Sequence, residues 1–132
     1  MTTEHEFGSS IPVIRMLSEE DSKEFYLEFL GYKIDWEHRF TEDDPDSPLY
    51  MQISYGDSII HLNGHASNSS PTAEVRIPVK NLGHYELELG ERCGKWPKPE
   101  AVDPRYEGRN TDMNIIDPAD NYLVFWAPGD SD

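Results

Sequence analysis

Large apolar residues recur with a helical period near the start of the chain. Four of them fall on one helix face: Phe25, Tyr26, Phe29 and Leu30. Ser18 is a favourable N-cap residue, and the acidic residues just after it suit the positive end of a helix dipole. Gly31 stands where a residue with a left-handed backbone often ends a helix. This pattern predicts an amphipathic helix from Ser18 to Leu30.

A two-residue period flanks the predicted helix on both sides. Residues 11–17 are strand-like. After the helix, Tyr32, Ile34 and Trp36 alternate with charged residues, which indicates a half-buried strand with these three side chains on one face. Residues 49–55 and 58–63 follow as two strands, joined by the hairpin signal Gly56-Asp57.

The same order of patterns returns in the second half of the chain. Residues 73–79 are predicted to form a strand, and Asn81 can cap a helix that ends at Gly94. Residues 96–103 are broken by prolines and fit an edge strand, and residues 109–116 and 121–126 follow as the last strands. The order β-α-β-β-β therefore occurs twice, which indicates an internal repeat and an α+β fold.

The chain of 132 residues is long enough for one domain with a substantial core. We expect a flexible N-terminus at residues 1–10 and an acidic tail at residues 128–132. One domain is expected between them, over residues 11–127. Its two modules would span residues 11–63 and 73–127, with a Ser/Asn-rich linker at 64–72.

The charge balance is strongly acidic, with 26 acidic and 11 basic residues and a formal net charge of −15. It argues against nucleic acid or an anionic membrane as partners, because both attract basic patches. It favours a cationic ligand or a basic partner, and adaptation to high salt is an alternative. Cys93 is the one cysteine, so no intrachain disulfide is possible. With no membrane-length apolar run and no signal-peptide pattern at the start, a cytoplasmic protein is expected.

Three short motifs resemble the glyoxalase/bleomycin-resistance superfamily, also called vicinal oxygen chelate proteins. They are Ile11-Pro-Val-Ile, Glu24-Phe-Tyr with the later Phe29-Leu-Gly-Tyr, and Asp117-Pro-Ala-Asp-Asn121. Within that superfamily the chain looks most like bleomycin-resistance proteins. The resemblance implies two βαβββ modules that form a curled mixed-sheet cup, a two-fold homodimer, and ligand crevices at the dimer interface.

The resemblance also implies where a metal would bind. Metal-dependent members hold a divalent ion through side chains on the first and last strands of each module. Aligned on the motifs and the internal repeat, those positions hold Ile11, His61, Ala73 and Val124. One histidine cannot hold the ion, so we expect no cofactor and no metal. His61 alone fits either a hydrogen-bonded core or crevice residue or a functional one.

No catalytic residue emerges from the sequence, since Cys93 lies on the apolar face of its helix and the serines lack a nucleophile motif. A bleomycin-like ligand, with flat rings and a cationic tail, needs aromatic faces and carboxylates. The candidate ligand-binding residues are Trp36, Tyr50, His61, Tyr106, Asp35, Glu37 and Asp112. The expected function is metal-free sequestration of a cationic glycopeptide antibiotic. The alternatives are a superfamily lyase, isomerase or dioxygenase, and a binder of another small molecule.

Overall fold

The computed structural model describes residues 5–65, 72–102 and 112–128, which form two four-stranded sheets. The first sheet contains β1 (Val13–Arg15), β2 (Lys33–Arg39), β3 (Leu49–Tyr55) and β4 (Ser58–Asn63). Its spatial order is β1-β4-β3-β2. β1 and β4 are parallel, and the other neighbours are antiparallel.

The second sheet repeats this topology. It contains β5 (Glu74–Pro78), β6 (Ala101–Val102), β7 (Asp112–Ile116) and β8 (Tyr122–Trp126). Its order is β5-β8-β7-β6, again with the first and last strands of the module parallel. The predicted α+β fold with two β-α-β-β-β modules is therefore confirmed.

The first helix has two parts. Helix α1 (Glu19–Lys23) continues as a π-helical segment over Glu24–Phe29. The Ser18 hydroxyl accepts a hydrogen bond of 3.1 Å from the Asp21 amide, so the predicted N-cap is confirmed. Gly31 has φ +98°, as expected for a left-handed residue that ends a helix. The π geometry has no counterpart in the sequence pattern.

Helix α2 (Leu82–Arg92) belongs to the second module. Leu82, Tyr85 and Leu89 are buried on one face. Asn81 occupies the N-cap position, but it has φ +59° and its side chain forms no capping hydrogen bond. The helix therefore begins where the sequence predicts without the predicted side-chain cap.

One hydrophobic core joins both modules. Buried residues from the two sheets and the two helices form a single cluster, and Phe25, Tyr26 and Leu89 are among its least exposed members. The core side of β3 and β4 carries Met51, Ile53 and Leu62. Every second residue points this way. The opposite side of each sheet, here called its uncovered side, exposes Val13, Ile116 and Tyr122, whereas Val124 is buried there.

The segment from Asp117 to Asn121, at the β7–β8 turn, forms hydrogen bonds between the two modules. The buried carboxylate of Asp117 accepts hydrogen bonds from the Tyr26 hydroxyl at 2.6 Å and from the Ala119 and Asn121 amides at 2.8 Å each. The Asn121 side-chain amide donates to the same carboxylate at 2.8 Å and to the Arg15 carbonyl at 3.0 Å. Residues of the family motifs thus form a structural contact between the two halves.

Strand β2 departs from the predicted alternation. Ile34 pairs with Ile53, whereas Trp36 pairs with Gln52, so Asp35 is an extra residue at a β-bulge. The prediction that Trp36 shares a face with Ile34 is therefore wrong. The bulge turns Trp36 to the uncovered side of the sheet.

Candidate ligand-binding face

The uncovered side of the first sheet carries a compact set of aromatic and polar side chains, here called the open face. Its central residues come from β2, β3 and β4: Trp36, His38, Tyr50, Gln52 and His61. The strand register makes them neighbours, since His38 pairs with Tyr50 and Gln52 pairs with both Trp36 and His61. The site is built on three adjacent strands of a sheet whose other side is core.

Three rings on the open face lie nearly parallel. The Trp36 and Tyr50 ring centroids are 6.0 Å apart at an interplanar angle of 9°, and His38 and Tyr50 are 5.8 Å apart at 19°. Trp36 remains 41% exposed, and Phe40, which meets His38 and Tyr50 edge-on, is 45% exposed. Exposed rings in this arrangement offer stacking surface to a flat ligand.

A chain of hydrogen bonds runs across the strands beside these rings. The Asp35 carboxylate accepts from the Ser54 hydroxyl at 3.0 Å and from the Gln52 side-chain nitrogen at 3.1 Å. The Gln52 oxygen then lies 2.9 Å from His61 Nε2, and the Tyr50 hydroxyl lies 2.8 Å from His61 Nδ1.

The Asp35 carboxylate determines which atoms donate and which accept in this series of hydrogen bonds. Gln52 must turn its amide nitrogen to Asp35, so its oxygen accepts a hydrogen bond from Nε2 of His61. With the proton of a neutral imidazole on Nε2, Nδ1 accepts from the Tyr50 hydroxyl. The Tyr50 oxygen therefore has its proton engaged and its lone pairs free for a ligand.

The local electrostatics agree with this assignment. Hydrogen bonds from Gln52 and Ser54 lower the pKa of the Asp35 carboxyl. Desolvation lowers the pKa of His61 and raises that of the Tyr50 hydroxyl. Near pH 7 the site thus combines an anionic carboxylate, a neutral imidazole and a protonated phenol, and it favours cations and hydrogen-bond donors.

The structure brings together four of the sequence-predicted site residues: Trp36, Tyr50, His61 and Asp35. Glu37 lies on the helix side of β2, where its carboxylate is 3.1 Å from Lys23 Nζ, so it is outside the open face. Asp112 lies on the second sheet, 3.7 Å from Arg76 Nη2. Tyr106 falls outside the described residues. Whether the clustered residues bind a ligand stays a prediction.

Sequence reasoning missed His38 and Gln52 as site residues. Gln52 shares the parity of Tyr50 on β3, a signal that was present in the alternation of that strand. His38 could not be placed, because its orientation depends on the bulge at Asp35.

The strand pairing does not make neighbours of the positions that the family resemblance assigned to a metal. Val13, and not Ile11, lies directly beside His61, and Arg76, and not Ala73, lies beside Val124. Valine and arginine supply no ligand, so these positions do not fit the divalent ion of metal-dependent relatives. Among residues 5–65, 72–102 and 112–128, no group of three or more His, Cys, Asp or Glu side chains could hold a metal ion.

On the uncovered side of the second sheet, charged side chains surround the apolar Val124. Arg76 lies 3.8 Å from Glu74 and 3.7 Å from Asp112, with its guanidinium carbon 6.0 Å from the Trp126 ring centroid. At one end, Ile116 and Tyr122 are 51% and 46% exposed. Within the described ranges, no helix is long and apolar enough to cross a membrane.

Comparison with known proteins identifies a family whose sequence model matches this chain. Residues 1–131 match the sequence model of a family described as "Glyoxalase superfamily protein". The comparison with curated proteins found no match.

Solved structures share the architecture at low sequence identity. A glyoxalase family protein from Bacillus anthracis has a TM-score of 0.68 at 17% identity, covering 96% of this chain and 98% of its own. A bleomycin-binding protein complexed with bleomycin has a TM-score of 0.63 at 18% identity, covering 92% and 98%. The Streptomyces verticillus bleomycin-binding protein complexed with copper(II)-bleomycin has 0.58 at 17%, covering 92% and 96%. At these identities the likeness establishes the fold.

Proposed function

Because the chain belongs to the glyoxalase superfamily, we propose that it is a metal-free binding protein of the bleomycin-resistance type. It captures a flat cationic small molecule in the cytoplasm. The observation that carries this proposal is the row of parallel rings formed by Trp36, His38 and Tyr50, next to the Asp35 carboxylate. Two structural neighbours were solved with bleomycin bound, which supports a ligand of that class.

The chemistry of the open face matches such a ligand. Planar heteroaromatic rings stack on the exposed surfaces of Trp36 and His38. A cationic group gains from the Asp35 carboxylate and from the free lone pairs of the Tyr50 oxygen. The net charge of −15 adds long-range attraction for a cation.

The proposed binding unit is a two-fold homodimer. The uncovered sides of the two sheets expose apolar side chains, including Val13 at 43%, Ile116 at 51% and Tyr122 at 46%. Soluble proteins normally cover contiguous apolar surface, and a second copy would do so while closing a crevice over the open face. Such an interface should bury at least ~1,200 Å² in total. A monomer mass by light scattering at micromolar concentration would contradict this assembly.

A superfamily enzyme acting on a small substrate is the second candidate. The observation that favours it is the hydrogen bond of 2.8 Å between the Tyr50 hydroxyl and His61, since imidazole and phenol groups both serve in general acid–base catalysis. Elemental analysis separates the candidates. A divalent transition metal at about one per chain in purified protein would favour the metal enzymes.

Calorimetric titration with bleomycin, both metal-free and copper-loaded, tests the binding function. We expect saturable heat from the parent protein and roughly tenfold weaker binding after Trp36→Ala, because one stacked ring contributes about 1.4 kcal/mol. Phe7→Ala is the control, since that ring is 96% exposed outside both sheets. No heat with either form at tens of micromolar would refute bleomycin binding.

A further inference from the structure

A cavity lies between the two modules, on the opposite side of the sheets from the open face. Its lining differs chemically from that of the open face. We call it the intermodule cavity, and its volume is about 290 Å³. Its lining includes Tyr32, Tyr55, Ser58, Ile77, Tyr85 and Phe125. Ile77 and Phe125 are buried on the helix side of the second sheet. The cavity shares no lining residue with the open face.

Its lining contains a continuous series of edge-to-face rings. Tyr32 and Tyr55 have centroids 5.7 Å apart at 78°, and Tyr55 and Tyr85 are 6.0 Å apart at 86°. Tyr85 and Phe125 extend the series at 5.6 Å and 65°. Aromatic walls arranged in this way accept a further ring in stacked or edge-on contact.

Hydrogen bonds to the protein hold two of these rings in place. The Tyr32 hydroxyl lies 2.7 Å from the Ser58 hydroxyl, and the Tyr85 hydroxyl donates to the Leu30 carbonyl at 2.7 Å. The Tyr55 hydroxyl has no hydrogen-bond partner among the described residues, and this side chain is 46% exposed. The cavity is therefore fixed at its base, with one phenol group available at its mouth.

The rim carries an uncompensated positive charge. The Glu88 carboxylate is 3.6 Å from the Arg92 guanidinium, which counters its charge. Lys80 also lines the rim and forms no ion pair with any described residue. At short range the unpaired Lys80 ammonium favours an anionic group at this rim, against the overall negative charge of the protein.

We propose that the intermodule cavity is a second ligand site, for a small aromatic carboxylate with one ring. The ring enters against Tyr55 and Tyr85, and the carboxylate meets Lys80 at the rim. A volume of about 290 Å³ is at the small end of ligand sites, which suits a monocyclic acid and excludes a glycopeptide. The ligand charge is opposite to that favoured by the open face, so the two sites select different molecules.

Titration with phenylacetate, followed by protein NMR, tests this proposal. We expect saturable shifts at residues of the cavity and none at the Trp36 indole. Phenethylamine, which has a similar ring and the opposite charge, should bind more weakly. Absence of shifts at millimolar phenylacetate, or shifts centred on the open face, would overturn the proposal. Equal binding of the amine would overturn the assigned charge preference.

Variants separate the ring contact from the charge contact. Lys80→Gln should weaken phenylacetate binding about two- to fivefold, the effect of one exposed ion pair, while Lys98→Gln serves as the lysine control. Tyr55→Leu should weaken it by roughly tenfold. Tyr55 is half exposed, so the variant should keep its fold, which a melting curve verifies. Trp36→Ala should leave phenylacetate binding unchanged, and unchanged binding after both cavity substitutions would refute the site.

Discussion

The buried carboxylate of Asp117 depends on donors from both modules. Tyr26 provides one from the first helix, and burial together with the neighbouring Asp117 charge raises the pKa of its hydroxyl well above the ordinary value. The phenol therefore stays protonated at neutral pH and donates to Asp117. A charge held in the core is stable only while its hydrogen bonds are complete.

Tyr26→Phe should destabilise the protein by about 1.5–3 kcal/mol, the range for a hydrogen bond to a charged group. The substitution keeps the ring and removes the 2.6 Å contact to Asp117. Urea denaturation measures the loss. Tyr55→Phe is the matched control, because that side chain is 46% exposed and its hydroxyl has no partner among the described residues, so stability should change little. Equal stability of the two variants would contradict a structural role for the motif.

His61 should make folding and cation binding depend on pH. Desolvation lowers its folded-state pKa below the ordinary value of 6.5, so the unfolded chain binds the proton more readily. The stability contribution is complete above pH 6.5 and is lost as pH falls from there through the folded-state pKa. Protonation also adds a positive charge beside Tyr50, which weakens binding of a cationic ligand.

His61→Gln isolates this effect from the other histidines. The difference in unfolding free energy between parent and variant should shrink as pH is lowered from about 8 to about 5. Bleomycin affinity should fall over the same range in the parent and stay flatter in the variant. A pH-independent difference would show that His61 does not titrate in this window.

At the scale of elements, the bulge in β2 decides how the open face is built. Asp35 is the extra residue, and its side chain reaches Gln52 and Ser54 on β3. Residues after the bulge have the opposite parity to those before it, which turns Trp36 and His38 toward Tyr50. Bulges recur at functional sites because they re-aim side chains in this way.

Deletion of Asp35 should preserve the arrangement of the Trp36, His38 and Tyr50 rings and remove the carboxylate beside them. Ile34 and Trp36 would then be consecutive residues opposite Ile53 and Gln52, which is the register of a regular antiparallel pair. We expect near-ultraviolet circular dichroism of the stacked rings to persist, and affinity for a cationic ligand to fall. Asp35→Asn, which keeps the bulge, is the matched control for the charge. Loss of the ring signal after deletion would contradict the expected regular register.

At the scale of the whole molecule, we expect the acidic surface to affect how fast a cationic ligand associates. Exposed charges are screened over about 8–10 Å at physiological ionic strength, whereas ring stacking is not. The β2–β3 loop contributes Asp43, Asp44 and Asp46, all exposed. The Asp44 side chain accepts from the Asp46 amide at 2.9 Å, a bond that asparagine can also make.

Rising salt should slow association of bleomycin more than it speeds dissociation, as measured by stopped-flow tryptophan fluorescence. Replacing Asp43, Asp44 and Asp46 with asparagine should slow the association of bleomycin and change the stability of the fold little. Trp36→Ala should instead speed dissociation. If salt only stabilises the fold and no quench occurs at low or high salt, the acidity reflects salt adaptation and the drug-binding proposal fails.

Local periodicity and turn residues were enough to predict several helix and strand features of this protein. The apolar face of the first helix, the cap at Ser18, the left-handed Gly31 and the parity of β3 were all predictable. Each follows from the geometry of a few consecutive residues, namely the helical period, the two-residue strand period and the freedom of glycine at positive φ. The duplication of these patterns also indicated the two-module fold.

Only the tertiary structure decided how the site is assembled. The register between strands brings Tyr50, Gln52 and His61 into one hydrogen-bonded chain, and the bulge at Asp35 turns Trp36 toward them. The same long-range pairing puts Val13 beside His61. Register depends on hydrogen bonds between segments that are distant in sequence, and one inserted residue reverses the face of all that follow. Alternation within a strand therefore showed which residues share a side, and strand pairing decided which of them meet.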